Sequence, residues 1–374
     1  MNRRSFLRKS TGVTGASLLA GLGTWHESAV GQTNDPFGQT KGPYGPSGSI
    51  TDVEGIKAGH FTDPRRPTGC TVIMAEDGAV GGVDVRGGAP GTRETDLLDP
   101  VNMVQRVHAI VLSGGSAFGL DTATGVMRYL EERSIGFDVR IARVPIVPAA
   151  ILFDLGIGGK PEIRPDAEAG YQACQAATSD PVPEGSIGAG AGATVGKMSV
   201  GASGTRTAMK GGIGNACFTT PDGLRVGAIV AVNAVGDVYD PDTGRVLAGA
   251  RMPDGSGFVH VARRIRETGS LRLEAPPGNT TIGVIVTNAG LTKTQASRIA
   301  QVGHDGLARA INPAHLQADG DTLFTMATGT WAGSVNLSLL SILAAEAVTR
   351  AIIRAVVTAE GLPGYPSYSD LNAG

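Results

Sequence analysis

The sequence predicts an α+β fold, on three observations. Runs rich in β-branched residues mark strands at 72–74, 210–219, 225–236 and 280–288. Apolar stripes at helical spacing mark helices at 120–133, 292–311 and 334–360. The two kinds of element alternate without the regular βαβ period of a doubly wound sheet, which favours α+β layers. At 374 residues the chain is long enough to bury a substantial core in one large domain or two.

The elements follow one another in this order. After the strand at 72–74 comes a second at 81–88, bounded by glycine turns, then a helix at 101–107 leading into a strand at 108–112. Ser113-Gly114-Gly115-Ser116-Ala117-Phe118-Gly119-Leu120-Asp121 then turns the chain into a helix striped by Leu120, Val126, Met127 and Leu130. Strand, glycine turn and helix also build phosphate sites, but no G-x-G-x-x-G accompanies them, so packing geometry is the reading, with Ser116 beside a pocket. A helix follows at 166–177, then the glycine run 185–196 ending in Lys197. This is no Walker loop: the spacing is too short, and Met198 stands where the magnesium-holding Ser or Thr would be. Lys197 is either a surface charge or a desolvated catalytic amine. Asn233 interrupts the apolar run 225–236, where a buried amide must fix a turn or face a ligand oxygen. The segment 241–278 reads as loop with one short helix.

Composition removes several classes of function. Lys and Arg number 32 against 34 Asp and Glu, a formal charge of −2, and aromatics are 5 %. Neither a basic face nor a base-stacking platform follows, so no nucleic-acid partner is expected. Glycine is abundant, at 56 residues, yet it punctuates apolar strands without a period, which indicates tight turns rather than collagen or disorder. Cys70, Cys174 and Cys217 are far apart and form no C-x-x-C, so buried thiols are expected before a disulfide. The six histidines are scattered with no H-E-x-x-H, and neither a metal nor another cofactor is expected.

The first residues, Met1-Asn2-Arg3-Arg4-Ser5-Phe6-Leu7-Arg8-Lys9, precede a weakly apolar run to Trp25. Paired arginines before a Gly/Ala/Leu segment read as a twin-arginine export signal over 1–31, with small residues for cleavage at Ala29-Val30-Gly31. The run is too short and glycine-rich to span a bilayer, so no stable membrane anchor is expected. A Pro/Gly/Ser-rich linker at 32–49 leads into a body at 50–374. A periplasmic or secreted protein is expected.

The most informative stretch is Pro276-Pro277-Gly278-Asn279-Thr280-Thr281-Ile282-Gly283-Val284. A breaker cluster runs straight into a β-branched segment, which places Thr280 at the mouth of a buried strand. A hydroxyl there can attack the preceding carbonyl and move the acyl group from nitrogen to oxygen. Hydrolysis of that ester makes Thr280 a new N-terminus, whose amine can serve as base for its own hydroxyl. The bland alternative is a loop entering a core strand. Asn279-Thr280-Thr281 is also a glycosylation sequon, set aside because the export signal is of a bacterial kind. Downstream, Asp319-Gly320-Asp321 begins another strand. Its carboxylates share one face if the strand has begun there and splay if the turn persists; an Asx-turn is the structural alternative.

Taken together, Gly114-Gly115-Ser116-Ala117-Phe118-Gly119-Leu120, Ala193-Thr194-Val195-Gly196-Lys197, Asn279-Thr280-Thr281 and Asp319-Gly320-Asp321-Thr322-Leu323-Phe324 resemble one group of enzymes. These are the self-cleaving hydrolases that include β-aminopeptidases, L-aminopeptidase/D-amide esterases and nylon-oligomer endo-hydrolases. The resemblance covers about 50–360, and the Asn-Thr junction is closest to the nylon-oligomer branch, since many aminopeptidase members use Ser. It implies a four-layer αββα sandwich cleaved into a large chain ending at Asn279 and a small chain from Thr280 to 374, in oligomers that are often tetramers or larger. It also implies Thr280 as nucleophile with Lys197, Asn233, Asp319 and Asp321 as companions. Phe153 stands where the relatives have a substrate-contacting Tyr, a departure that bears on substrate binding rather than self-cleavage.

On this reading one carboxylate orients the amine and hydroxyl of Thr280, Lys197 offsets its charge, and Asn233 with backbone N–H groups stabilises the oxyanion. The substrate is a small peptide or an oligoamide. The competing readings are a non-catalytic periplasmic binding protein and an acyltransferase of related fold. A serine hydrolase of the G-x-S-x-G kind is disfavoured because that motif is missing.

Overall fold

The computed structural model describes residues 48–198, 207–270 and 278–372. The expected signal at 1–31, nearly all of the linker and Pro276-Pro277 lie outside the described residues.

Nine strands form one continuous sheet: β1 (Lys57–Thr62), β2 (Gly69–Val85), β3 (Thr92–Arg93), β4 (Arg106–Ser113), β5 (Ala149–Ile151), β6 (Gly212–Thr219), β7 (Arg225–Asn233), β8 (Thr280–Thr287) and β9 (Thr322–Ala327). Their order is β6-β7-β8-β9-β2-β4-β5-β3, with β1 also paired to β2. Only β8–β9 and β4–β5 are parallel pairs. The helices are α1 (Thr122–Glu131), α2 (Ala167–Gln175), α3 (Val261–Thr268), α4 (Lys293–Ala310) and α5 (Leu337–Val357), followed by a short turn of helix at Tyr368–Asn372.

β2 doubles the sheet back on itself. Its first part, Cys70–Met74, pairs with β4, the register shifts between Met74 and Ala79, and Val80–Val85 pairs with β9. Such an irregularity bends a strand and increases its twist. The consequence is visible in which residues touch. Ile73, Ile110 and Leu112 from one half of the sheet share a buried core with Ile229, Ile282, Val284, Phe324 and Met326 from the other. A second core joins Val226, Val230, Ile285 and Leu323 to Ile299 and Leu307 of α4 and Val348 and Ile352 of α5. A third joins Val72, Met74 and Val111 to Val126 and Leu130 of α1 and Ala173 of α2. Three cores separate four layers: helices, sheet, sheet, helices.

This layering explains the unbroken apolar runs. β7 sends Val226, Ala228, Val230 and Val232 toward α4 and α5, and Ile229 and Ala231 toward the facing sheet, so both faces are buried. Close approach of α4 to β2 leaves no room for a side chain at Gly82, where a Cβ would lie 2.4 Å from the Ala296 backbone. α4 begins where the sequence says, because Thr292 and Gln295 form a reciprocal capping box. α5 starts at Leu337 behind Asn336, whose side chain accepts the N–H groups of Ser338 and Leu339.

Some local expectations are corrected. There is no helix at 101–107: β4 begins at Arg106, and Val101 and Met103 are exposed turn residues. A short apolar run does not distinguish helix from strand, and here the strand won. The two strands expected at 72–74 and 81–88 are parts of β2. The strand expected at 210–219 breaks at Gly211: Met209–Lys210 pairs with Thr194–Val195, and β6 begins at Gly212. The loop expected over 241–278 contains α3 and also a strand, Val246–Ala248, paired with Asp237–Tyr239. Among the described residues no helix is long and apolar enough to cross a membrane.

Candidate active site

Strand register assembles the site. Thr280 opens β8 and pairs with Asn233, the last residue of β7. On its other side β8 runs parallel to β9, and the parallel pairing extends upstream as a bridge between Asn279 and Asp319. Three strand ends therefore converge on the Asn279–Thr280 peptide. Asn233, Asn279, Thr280, Asp319 and Asp321 are each at most 4 % exposed. Lys197 arrives from the loop after Thr194–Val195, held by its own N–H on Val235 O at 3.1 Å. Gly196 (φ 71°) makes that loop possible, because a Cβ there would lie 2.0 Å from backbone atoms of Gly249 and Ala250.

The side chains interlock. Lys197 Nζ donates to Asn233 Oδ1 at 2.6 Å, to Asn233 O at 3.1 Å and to Gly278 O at 3.4 Å. Asn233 Oδ1 also accepts the Thr194 N–H at 3.0 Å. Asn233 Nδ2 donates to Phe153 O at 3.0 Å and Gly278 O at 3.3 Å. With the chain continuous across Asn279–Thr280, the amide expected to face an oxyanion is engaged with the carbonyl one residue before that peptide.

The Asn279 carbonyl oxygen accepts two hydrogen bonds. The Thr280 hydroxyl donates to it at 2.5 Å, and the Gly320 N–H at 2.9 Å. Gly320 sits so close that a Cβ would lie 2.7 Å from Thr280 Oγ1 and 2.9 Å from Ala89 O.

The two carboxylates do different work. Asp321 is saturated: Oδ1 accepts the Thr281 N–H at 2.7 Å, and Oδ2 accepts the His315 N–H at 3.0 Å and pairs with its ring Nδ1 at 2.9 Å. Asp319 Oδ2 accepts the Leu316 N–H at 2.7 Å, while Oδ1 is buried with no hydrogen-bond partner. Burial first, and the Asp321 charge second, push Asp319 up to about 7, against the Leu316 N–H, Lys197 and His315. A carboxylate in that range with one oxygen uncommitted has the properties of a general base.

Phe153 lies over the junction, its ring so close that a Cβ at Gly278 would lie 2.4 Å from it. Its loop is anchored from behind by Asp154, which is ion-paired to Arg66 at 2.8 Å with both side chains fully buried. Asp154 also accepts the Thr68 hydroxyl at 2.6 Å and the Gly115 N–H at 3.0 Å. Ser116 (φ 56°) joins this loop through its N–H on Leu152 O at 3.0 Å. No hydrogen bond among the described residues joins Ser116 to Thr280.

Of the residues marked in the sequence, Thr280, Asn279, Lys197, Asn233, Asp319, Asp321 and Phe153 are thus brought together, and Ser116 lies one contact out. Gly320 and His315 were missed. The glycine between two carboxylates was in plain view but reads as turn chemistry; a lone histidine six residues before Asp321 gives no signal.

A buried hydroxyl at a sandwich strand mouth, flanked by lysine, asparagine and a basic carboxylate, defines the class: an N-terminal-nucleophile hydrolase. The chain belongs to peptidase family S58, whose sequence model matches residues 48–368. It is 43 % identical over 354 residues to an uncharacterised aminopeptidase of Mycobacterium tuberculosis (strain H37Rv), covering 87 % of this chain and 98 % of that one. It is 31 % identical over 319 residues to the 6-aminohexanoate-oligomer endohydrolase of Paenarthrobacter ureafaciens, covering 81 % and 84 %. Among solved structures, a β-aminopeptidase of Burkholderia sp. superposes with a TM-score of 0.59 at 25 % identity, over 83 % of this chain and 86 % of that one. The L-aminopeptidase D-Ala-esterase/amidase of Ochrobactrum anthropi, described as a variant of the Ntn-hydrolase fold, gives 0.62 at 18 % identity over 90 % and 94 %, a likeness of fold. These matches set aside the non-catalytic binding-protein reading.

Proposed function

We propose that this S58 hydrolase activates itself by cleaving Asn279–Thr280 and then hydrolyses amides through an acyl ester on Thr280. The observation that carries the reading is the Asn279 carbonyl, which accepts the Gly320 N–H while the Thr280 hydroxyl sits 2.5 Å from its oxygen. Attack of Thr280 Oγ on the Asn279 carbonyl carbon forms the C–O bond, and the hydroxyl proton passes to the free oxygen of Asp319. The negative charge that develops on the Asn279 oxygen falls on the Gly320 N–H. Breaking the C–N bond puts a proton on the Thr280 nitrogen, which frees its α-amine and leaves an ester on Oγ; water then splits that ester into the Asn279 carboxylate and the Thr280 hydroxyl.

Cleavage also changes the partners of Asn233 and Lys197. Both grip the Gly278 carbonyl in the continuous chain, and withdrawal of that segment turns the Asn233 amide and the Lys197 ammonium toward an incoming acyl group. The same nucleophile, base and donors then act on the substrate. Peptides and oligoamides are the substrate class that both sets of relatives suggest.

The test is intact mass and N-terminal sequencing of the purified protein, wild type beside Thr280→Ala. Wild type should give two chains, the smaller beginning Thr280-Thr281-Ile282, and hydrolyse aminoacyl anilides or 6-aminohexanoate oligomers. Thr280→Ala should stay whole and inactive. Persistent cleavage or amidase activity in that variant overturns the reading. Blocking the substrate amine separates the two activities, since an aminopeptidase stops and an endo-amidase continues. Acceleration by added amine acceptors would instead favour acyl transfer. Export by the twin-arginine signal and assembly as a homo-oligomer of four or more chains belong to the same proposal; fractionation and sizing check them.

A further inference from the structure

The buried His304 and the partly exposed His315 meet directly behind Asp321. Their rings meet edge to face, with centroids 4.8 Å apart and planes at 71°. His315 is held in a left-handed conformation (φ 58°), which only a few per cent of non-glycine residues adopt. That conformation brings both its backbone N–H and its ring Nδ1 onto Asp321 Oδ2. His304 comes from α4, and its Nε2 meets the Asp84 backbone carbonyl at 3.1 Å. The remaining nitrogens, His315 Nε2 and His304 Nδ1, are both buried without a hydrogen-bond partner. Two ring nitrogens sealed from solvent are costly to leave unmatched in a purely structural contact.

The charged groups around the pair are few. Asp84 and Arg86 come from β2 and its exit, with Asp84 Oδ2 3.9 Å from His304 Nε2. Asp319 and Asp321 come from the approach to β9, and Lys197 acts on Asp319 from the far side of the site. Burial, reinforced by the neighbouring His315, pushes His304 down toward its neutral form.

We propose that His315, backed by His304, is a positioning residue of the site: it fixes Asp321 through two hydrogen bonds, and Asp321 in turn fixes the Thr281 N–H next to the nucleophile. The inference rests on the functional reading above and deepens it. It makes self-cleavage depend on a residue that touches neither Thr280 nor substrate.

The test compares His315→Asn and His315→Ala with wild type. Asparagine retains an N–H donor near the Nδ1 position but carries no charge; alanine retains neither. Self-cleavage rates and amidase kcat/KM are followed from pH 5 to pH 9, with circular dichroism as the folding control. His315→Asn should fold and process close to the wild-type rate across that pH range, because the donor to Asp321 is kept. His315→Ala should process on the order of 10-fold slower, the loss expected when a buried carboxylate is left under-held. A His315→Asn variant that folds but processes as slowly as expected of His315→Ala would overturn the proposal, even if His315→Ala fails to fold, and so would His315→Ala at the wild-type rate. If wild type itself never cleaves, the functional reading fails first; if wild type cleaves and either of those results appears, only this inference fails.

Discussion

The Gly320 N–H donates to the Asn279 carbonyl oxygen at 2.9 Å, across the bridge that prolongs the parallel pairing of β8 and β9. Sheet hydrogen bonding here is aimed at one peptide, and the residue supplying it has no side chain for a steric reason: a Cβ would lie 2.7 Å from Thr280 Oγ1. Gly320→Ala should therefore retain the fold yet slow conversion into two chains by about 10²–10³-fold, the range for a displaced oxyanion donor. A denaturing-gel time course measures it. Wild-type processing in this variant would remove Gly320 from the mechanism.

Asp319 sets a pH response in two observables. As base it must be ionised, so self-cleavage and amidase rates should rise through a limb near pH 7. For stability the sign is opposite. Its folded-state value is raised above the unfolded one, so its contribution is fully present below about pH 4 and lost as pH rises through about 7. Asp319→Asn should abolish processing while raising the melting temperature relative to an inactive Thr280→Ala control at pH 8, and not at pH 4. An unchanged difference between the two pH values would show that burial of this charge is not what raises Asp319.

Lys197 and Asn233 should fail differently. Lys197→Met keeps much of the stem but removes the donor to Asn233 and Gly278, so the fold should survive with processing reduced by about 10²-fold. Asn233→Ala also strands the Thr194 N–H and the Phe153 carbonyl in a buried place, which costs about 1–3 kcal/mol for each group left unsatisfied. Thermal denaturation should separate the pair: a clear drop for Asn233→Ala, little for Lys197→Met.

Phe153→Tyr should leave self-cleavage untouched and change KM for amide substrates. The ring lies against Gly278, and its loop is fixed by the Arg66–Asp154 pair rather than by the ring's own polarity. On the reading that Phe153 bears on substrate binding, a hydroxyl added there should act on substrate and not on the scissile peptide. Equal KM values with equal processing would place specificity elsewhere.

Much of this site was legible because its chemistry needs residue types that are rare in their setting. A lysine after a glycine run, an amide inside an apolar strand and a hydroxyl after a breaker cluster each contradict their surroundings. One alternative left open in the sequence is decided by contact: Lys197 is no free surface charge, since it holds Asn233 and Gly278. The helix expected at 101–107 failed because a short apolar run carries no period of its own.

The sequence by itself determined the α+β layering and the strand that begins at Thr280. Alternation, breakers and caps are local properties, so the strand beginning at Thr280, the helix capped by Thr292 and the buried α5 could be read residue by residue. Tertiary structure decided everything that depends on register. Which strand lies beside Thr280, which N–H faces the Asn279 carbonyl, and that Asp321 is saturated while Asp319 is not follow from pairings between β7, β8 and β9, which lie far apart in the chain. Their register is fixed by burying both faces of the sheet at once, since a slip of one residue would turn every side chain to the wrong core.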